Sequence, residues 1–259
     1  MTGFSETLRR LAAAQKPARG VPAYTLFVNR PAGRVLAALA LRAGATPHQV
    51  TLVGALFTFS ALAAVALVRP GPVLAVCVCA ALLMGFALDS ADGQLARAQR
   101  SAGPSGEWLD HVLDCAKTVT VHLVVAVAFH RFFSLPSPVL LLVPLLFALS
   151  GVVLFFGGIL AEQLKRRWAV PAPAEAARLA DRPAPLLRSV LLLPADHGVL
   201  CLAFLALCRQ QAFLSVYCAL LPAHLLLCAA FLVKWFRELR RRDLRRPGPA
   251  EQLQGAAQQ

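Results

Sequence analysis

Residues 73–96 read VLAVCVCAALLMGFALDSADGQLA: sixteen residues without a charge, then Asp89 and Asp92 three apart. As a helix this stretch rises about 36 Å, enough to cross the roughly 30 Å hydrocarbon layer of a bilayer. Its only charges would then sit at one border of that layer. Five more apolar stretches of similar length accompany it, at 47–68, 107–133, 138–163, 187–208 and 212–236. A backbone in lipid must satisfy its own polar groups, so each is expected to be helical. The chain of 259 residues is 58% hydrophobic and only 15% charged, with mean hydropathy +0.63. That composition excludes an ordinary soluble domain. The expected fold is all-α and integral to a membrane, with six transmembrane helices.

The first span has a marked start: Thr46 can cap it, Pro47 suits the first helical position, and Gln49 completes a capping box. Ahead of it, Pro31 to Arg42 reads as an amphipathic helix lying in the interface, with Val35, Leu36 and Leu39 set against Arg34 and Arg42. Three regions follow: an N-terminal segment with this interfacial helix (1–45), the six-helix transmembrane domain (46–236) and a basic, then disordered, polar tail (237–259). Residues 169–185 read as a Pro/Ala-rich loop. No removable signal peptide is expected at the N-terminus, which lacks a short apolar stretch with a cleavage site. The seven cysteines show no CxxC pair and read as packing residues.

Of the 26 lysines and arginines, 22 fall in the N-terminal segment, the loops after the second and fourth spans, and the C-terminal region. The opposite loops hold three (Arg69, Arg131 and Arg209), and Lys117 alone lies inside a span. By the positive-inside rule both termini and the Asp89–Asp92 border face the cytoplasm, in a multi-pass protein of the cell membrane. The same asymmetry accounts for the net charge of +13 without nucleic acid as a partner. Basic faces of this kind suit anionic lipid headgroups.

Four of the seven aspartates lie within 26 residues: Asp89, Asp92, Asp110 and Asp114. Spacings of three and four put each pair on one helical face, at facing ends of the second and third spans. The connector Ser101-Ala102-Gly103-Pro104-Ser105 is a turn that brings those ends together. Four converging carboxylates repel one another unless cations neutralise them. An all-oxygen site of this kind selects hard divalent ions, Mg²⁺ or Mn²⁺, and has ligands enough for two. Such a site at a lipid border suits phosphoryl transfer. Gly93, Ala96 and Gly106 leave room for a bulky ligand to approach the backbone, and Arg97 can meet phosphate oxygens.

The pattern Asp89-x-x-Asp92-Gly93-x-x-Ala96-Arg97, eight residues, Gly106-x-x-x-Asp110-x-x-x-Asp114 resembles the complete motif of the CDP-alcohol phosphotransferase family. The resemblance implies that Asp89, Asp92, Asp110 and Asp114 are metal ligands for Mg²⁺ or Mn²⁺. It also implies that Asp114 is the general base taking the acceptor hydroxyl's proton. Gly93, Ala96, Arg97 and Gly106 would shape the pocket of the CDP donor. It further implies a homodimer, with CDP-diacylglycerol or a related CDP-alcohol as donor. A small polar alcohol of the glycerol phosphate or inositol phosphate type would accept the phosphatidyl group, and CMP would leave.

Other residues carry two readings each. Lys117 and Thr118 point toward the Asp114 cavity; Lys117 either serves function or balances the aspartates. Lys165, Arg166 and Arg167 could meet a phosphorylated acceptor or anchor the span by charge. Asp196 and His197, after Pro194, either line the cavity or mark a helix break. Gly151, Gly157 and Gly158 suit close helix packing. His48, His111, His122, His130 and His224 offer no catalytic geometry in the sequence. Competing functions are transfer of a phosphoalcohol from another CDP-alcohol to diacylglycerol, a divalent-cation transporter and a catalytically dead scaffold. Aspartates clustered at one border beside an arginine fit an ion path poorly, and a motif missing no aspartate argues against a dead scaffold.

Overall fold

Proline opens three long helices, at Pro47 after Thr46, Pro72 after Gly71 and Pro104 after Gly103, where a fixed φ and a missing N–H cost nothing. The capping box forms: Gln49 N donates to Thr46 Oγ1 (3.3 Å) and Thr46 N to Gln49 Oε1 (2.9 Å). The computed structural model of the protein describes residues 3–13, 15, 20–168 and 186–243. The expected loop at 169–185 and the tail beyond 243 lie outside the described residues. In chain order come α1 (Phe4–Ala13), then a π-helical turn (Thr25–Asn29) running into α2 (Arg30–Arg42). Next are α3 (Pro47–Leu67), α4 (Pro72–Gln99), α5 (Pro104–Phe132) and α6 (Leu142–Arg167), the last entered through a short turn at Pro138–Leu141. The described chain ends with α7 (Leu186–Leu191), α8 (His197–Ala203) and α9 (Gln210–Asp243). No strand occurs among the described residues.

Five helices are long and apolar enough to cross a membrane: α3, α4, α5, α6 with its entry turn, and α9. Large apolar side chains on their outer faces, such as Leu56, Val73, Leu149 and Leu226, are exposed. This is a multi-pass membrane protein. The fifth expected span, 187–208, is not one continuous helix. It is divided into α7, a turn at Leu193–Ala195, α8 and a second turn at Phe204–Cys208. Pro194 lacks the N–H that a continuous helix needs, and Asp196 accepts a bond from Gly198 N (3.1 Å) to begin α8 afresh.

Interhelical bonds show which helix ends lie together. Arg166 of α6 meets Glu107 of α5 (3.5 Å), and Lys165 meets Glu238 of α9 (2.5 Å). At the other end of the bundle, Gln210 at the start of α9 donates to Ser134 O just after α5 (2.6 Å), and Arg131 to Ala66 O of α3 (2.7 Å). The chain leaves α6 at one end and enters α9 at the other. The broken helices at 186–208 lead into that far end, where Phe204 packs against Phe213 of α9 (5.5 Å between rings). The far end packs around Leu62, Leu82, Phe129, Phe204, Phe213 and Tyr217; the near end packs around Leu11, Ala37, Ala38, Val50, Ala91 and Leu95.

A helix does form where the amphipathic one was expected, as α2, but its buried face is Gly33, Ala37 and Ala38, while Val35 and Leu39 are 44% and 52% exposed. Small residues win that face because α2 presses on α4: a Cβ on Gly33 would lie 2.8 Å from Ser90 Cβ. α1, which sequence reading passed over, buries Leu11, and Gln15 beyond it donates to Gln94 Oε1 of α4 (2.5 Å). α3 closes on α4 from another side through Gly54 and Gly85. A Cβ on Gly85 would lie 2.2 Å from Thr58 Oγ1 and 2.9 Å from the Gly54 carbonyl oxygen. Gly85→Ala must push the two helices apart, at a cost of about 1–3 kcal/mol. Thermal unfolding in detergent should show a lowered midpoint, and an unchanged midpoint would contradict this packing.

Candidate active site

α4 is 28 residues long, and Asp89 stands about 26 Å along it from Pro72, near the border of a hydrocarbon layer. α4 ends where Arg100 takes a left-handed conformation (φ 53°), with Ser101 N donating to Ala96 O (3.0 Å). This sharp stop lets α5 begin at Pro104 and turn back into the bundle, packed on α3 and α6. Asp110 and Asp114, on the first turns of α5, then face Asp89. Asp89, Asp110 and Asp114 offer carboxylate oxygens that all lie within 4.8 Å of one another. Lys117, one turn beyond Asp114, contacts both Asp89 and Asp114, the latter at 3.0 Å. Lys117 balances the aspartates and also lines the cavity behind them.

Asp92 stands apart from this group. Three residues on, it points about 60° away around α4, toward α3, where its Oδ2 accepts from Thr51 Oγ1 (2.5 Å) with 5% of the residue exposed. It does line a cavity of about 700 Å³ between the near ends of α3, α4, α5 and α6. Gly93, Ala96, Arg97, Gly106 and Asp110 line the same cavity. All four residues expected at a donor pocket are therefore together. Gly93 is used closely: a Cβ there would lie 3.3 Å from Arg97 Nη1, so its absence lets the guanidinium lie back along α4. At Gly106 a Cβ would lie 3.6 Å from His48 Nε2, and a longer side chain would narrow the cavity. A volume of 700 Å³ is ordinary for a nucleotide-sized ligand.

Sequence reading missed several wall residues. His48 of α3, Glu107 and His111 of α5, and Glu162 and Gln163 of α6 all line this cavity. The one signal they carry is a place in the terminal turns of spans on the basic side. Arg166 lines it too, between Glu107 and Glu162 (both 3.5 Å). Lys165 is paired with Glu238, and Arg167 lies over the Trp168 ring (5.6 Å); neither lines either cavity. Gly157 and Gly158 lie against Trp235 of α9, and Gly151 against Thr118, so they serve packing. His122 bonds Tyr217 (2.6 Å) deep in the bundle.

A second cavity, about 160 Å³, lies behind the carboxylates, lined by Thr58, Gly85, Phe86, Asp89, Asp114, Lys117, Thr118, Phe155 and His197. Asp196 and His197 thus divide the two readings between them. Asp196 caps the break, and His197 lines the cavity.

The donor set suits a hard divalent cation: three carboxylates gathered at a helix junction, a fourth one turn away, and no sulfur or imidazole ligand in the group. Comparison with known proteins agrees with this chemistry. A family model described as CDP-alcohol phosphatidyltransferase matches residues 44–236. The matched stretch holds α3 to α6, all four aspartates and both cavities. No curated protein matches the chain.

Proposed function

Since this chain belongs to the CDP-alcohol phosphatidyltransferase family, a family of membrane transferases, we propose that it moves a phosphatidyl group from CDP-diacylglycerol to a small alcohol. The acceptor is of the glycerol phosphate or inositol phosphate type. The observation that carries this reading is the meeting of one carboxylate cluster with a 700 Å³ cavity whose wall holds Gly93, Ala96, Arg97 and Gly106.

Asp89, Asp110 and Asp114 would hold Mg²⁺ or Mn²⁺, with Asp92 completing the set once its carboxylate turns from Thr51. Bound cations would neutralise the donor's diphosphate and make its lipid-side phosphorus more electrophilic. The chain's own groups do the rest. Arg97 grips diphosphate oxygens from the cavity wall, and Gly93 and Ala96 let the nucleotide approach the helix. Asp114 takes the proton from the acceptor hydroxyl as its oxygen attacks the lipid-side phosphorus. The bond between that phosphorus and the bridging oxygen breaks, and CMP departs with the electron pair. Residues 46–236 form the catalytic domain. Both termini and the site face the cytoplasm of a cell membrane, a reading supported by the 22 basic residues on that side.

Purified protein given CDP-diacylglycerol and a mixture of candidate alcohols should release CMP and form one phospholipid, identified by mass spectrometry. Turnover only with CDP-choline or CDP-ethanolamine and diacylglycerol would reverse the donor assignment. Arg97→Ala should raise the donor KM about 10- to 100-fold, the loss of one charged hydrogen bond, and leave the acceptor KM in place. Unchanged donor affinity would remove Arg97 from the diphosphate.

A further inference from the structure

We propose that His197 holds the acceptor hydroxyl beside Asp114, so that the 160 Å³ inner cavity is the acceptor pocket and the broken segment its selective wall. The inference rests on the transferase reading above and adds where the second substrate binds and which residue positions it. Four observations carry it.

First, the two cavities share no lining residue, and the aspartates stand between them: Asp92 and Asp110 face the large one, Asp89 and Asp114 the small one. A donor diphosphate reaching the carboxylates from one side and an alcohol from the other meet as an in-line displacement requires.

Second, His197 lines that inner cavity together with Asp114, from a different element. Among the described residues neither imidazole nitrogen has a hydrogen-bond partner, and a neutral imidazole offers one donor and one acceptor to an alcohol.

Third, the break is built to hold this residue. Asp196 accepts from Thr25 N and Thr25 Oγ1 (both 2.9 Å) as well as from Gly198 N (3.1 Å). Tyr24 lies over Gly198 so closely that a Cβ there would stand 2.0 Å from its ring. The imidazole meets Phe86 edge to face at 5.0 Å. A continuous helix would meet the needs of lipid more simply; the break sets His197 at the level of the carboxylates.

Fourth, 160 Å³ equals about five water volumes, with Phe86 and Phe155 as apolar walls. That is room for the hydroxyl-bearing end of a glycerol-sized alcohol.

The test is steady-state kinetics on the purified full-length protein, varying donor and acceptor separately. His197→Ala should raise the acceptor KM about tenfold, with the donor KM within twofold of wild type. His197→Asn, which keeps a donor and an acceptor, should recover part of the loss. Thr25→Val, remote from both cavities, should give a smaller rise of the same kind by loosening the break. An unmoved acceptor KM in His197→Ala, or an equal rise in both KM values, overturns the proposal. Should His197→Ala not fold, the Asn and Thr25→Val variants decide it: an acceptor KM unchanged in both overturns it. Wild-type protein that releases no CMP from any CDP-alcohol would sink the transferase reading itself, an outcome distinct from CMP release with an unmoved acceptor KM.

Discussion

Asp114→Asn should cut CMP release by about a thousandfold or more while leaving the protein folded and able to bind its CDP donor. The substitution keeps the shape of the side chain and an oxygen for Lys117 Nζ, which lies 3.0 Å from the native carboxylate. It removes the basic oxygen that would accept the alcohol's proton. Loss of a positioned base alone costs 10²- to 10⁴-fold in rate, and loss of a charged ligand beside Asp89 and Asp110 adds to it. Donor affinity should change little, because Arg97 and the glycine-lined wall lie in the other cavity. The readouts are CMP release, donor binding and a thermal midpoint. Turnover within tenfold of wild type would take Asp114 out of its assigned role.

Removing divalent metal should abolish turnover, and Mg²⁺ or Mn²⁺ should restore it. Two carboxylates with oxygens within 4.8 Å of each other repel by about 3 kcal/mol or more at an effective dielectric of 20. Three of them meet at this junction, and Lys117 brings one positive charge to the two it touches. One charge against three leaves a net deficit that a divalent cation corrects. Metal should therefore raise the thermal midpoint as well as the rate, since binding to the folded state alone stabilises it. Activity in EDTA equal to that in Mn²⁺ would rule out the scheme.

What could be read in the sequence, and what could not, divides along the reach of each interaction. The Thr46–Gln49 box forms as the sequence indicates because both partners lie within one turn. Asp89, Asp110 and Asp114 converge because a short connector joins α4 to α5, which residues 101–105 make plain. Asp92 turns toward Thr51, 41 residues earlier, a partner that spacing along α4 could not reveal. The cavity wall depends on His48 and Glu162, from helices that meet only in the folded bundle. At 187–208 the average hydropathy concealed a break whose makers, Pro194 and Asp196, were visible. The anchor, Thr25, lies 171 residues away. On α2 the larger apolar side chains drew attention, yet Gly33, Ala37 and Ala38 are buried, because close approach to α4 favours small residues over greasy ones.

The most direct measurement is Mn²⁺ binding followed by electron paramagnetic resonance on the purified protein, with and without CDP-diacylglycerol. Carboxylates at the α4–α5 junction that grip a diphosphate through cations predict bound Mn²⁺ in the wild type, a signal that changes on adding donor, and loss of both in Asp110→Asn. Mn²⁺ bound as tightly by Asp110→Asn, with a spectrum indifferent to donor, would contradict the account.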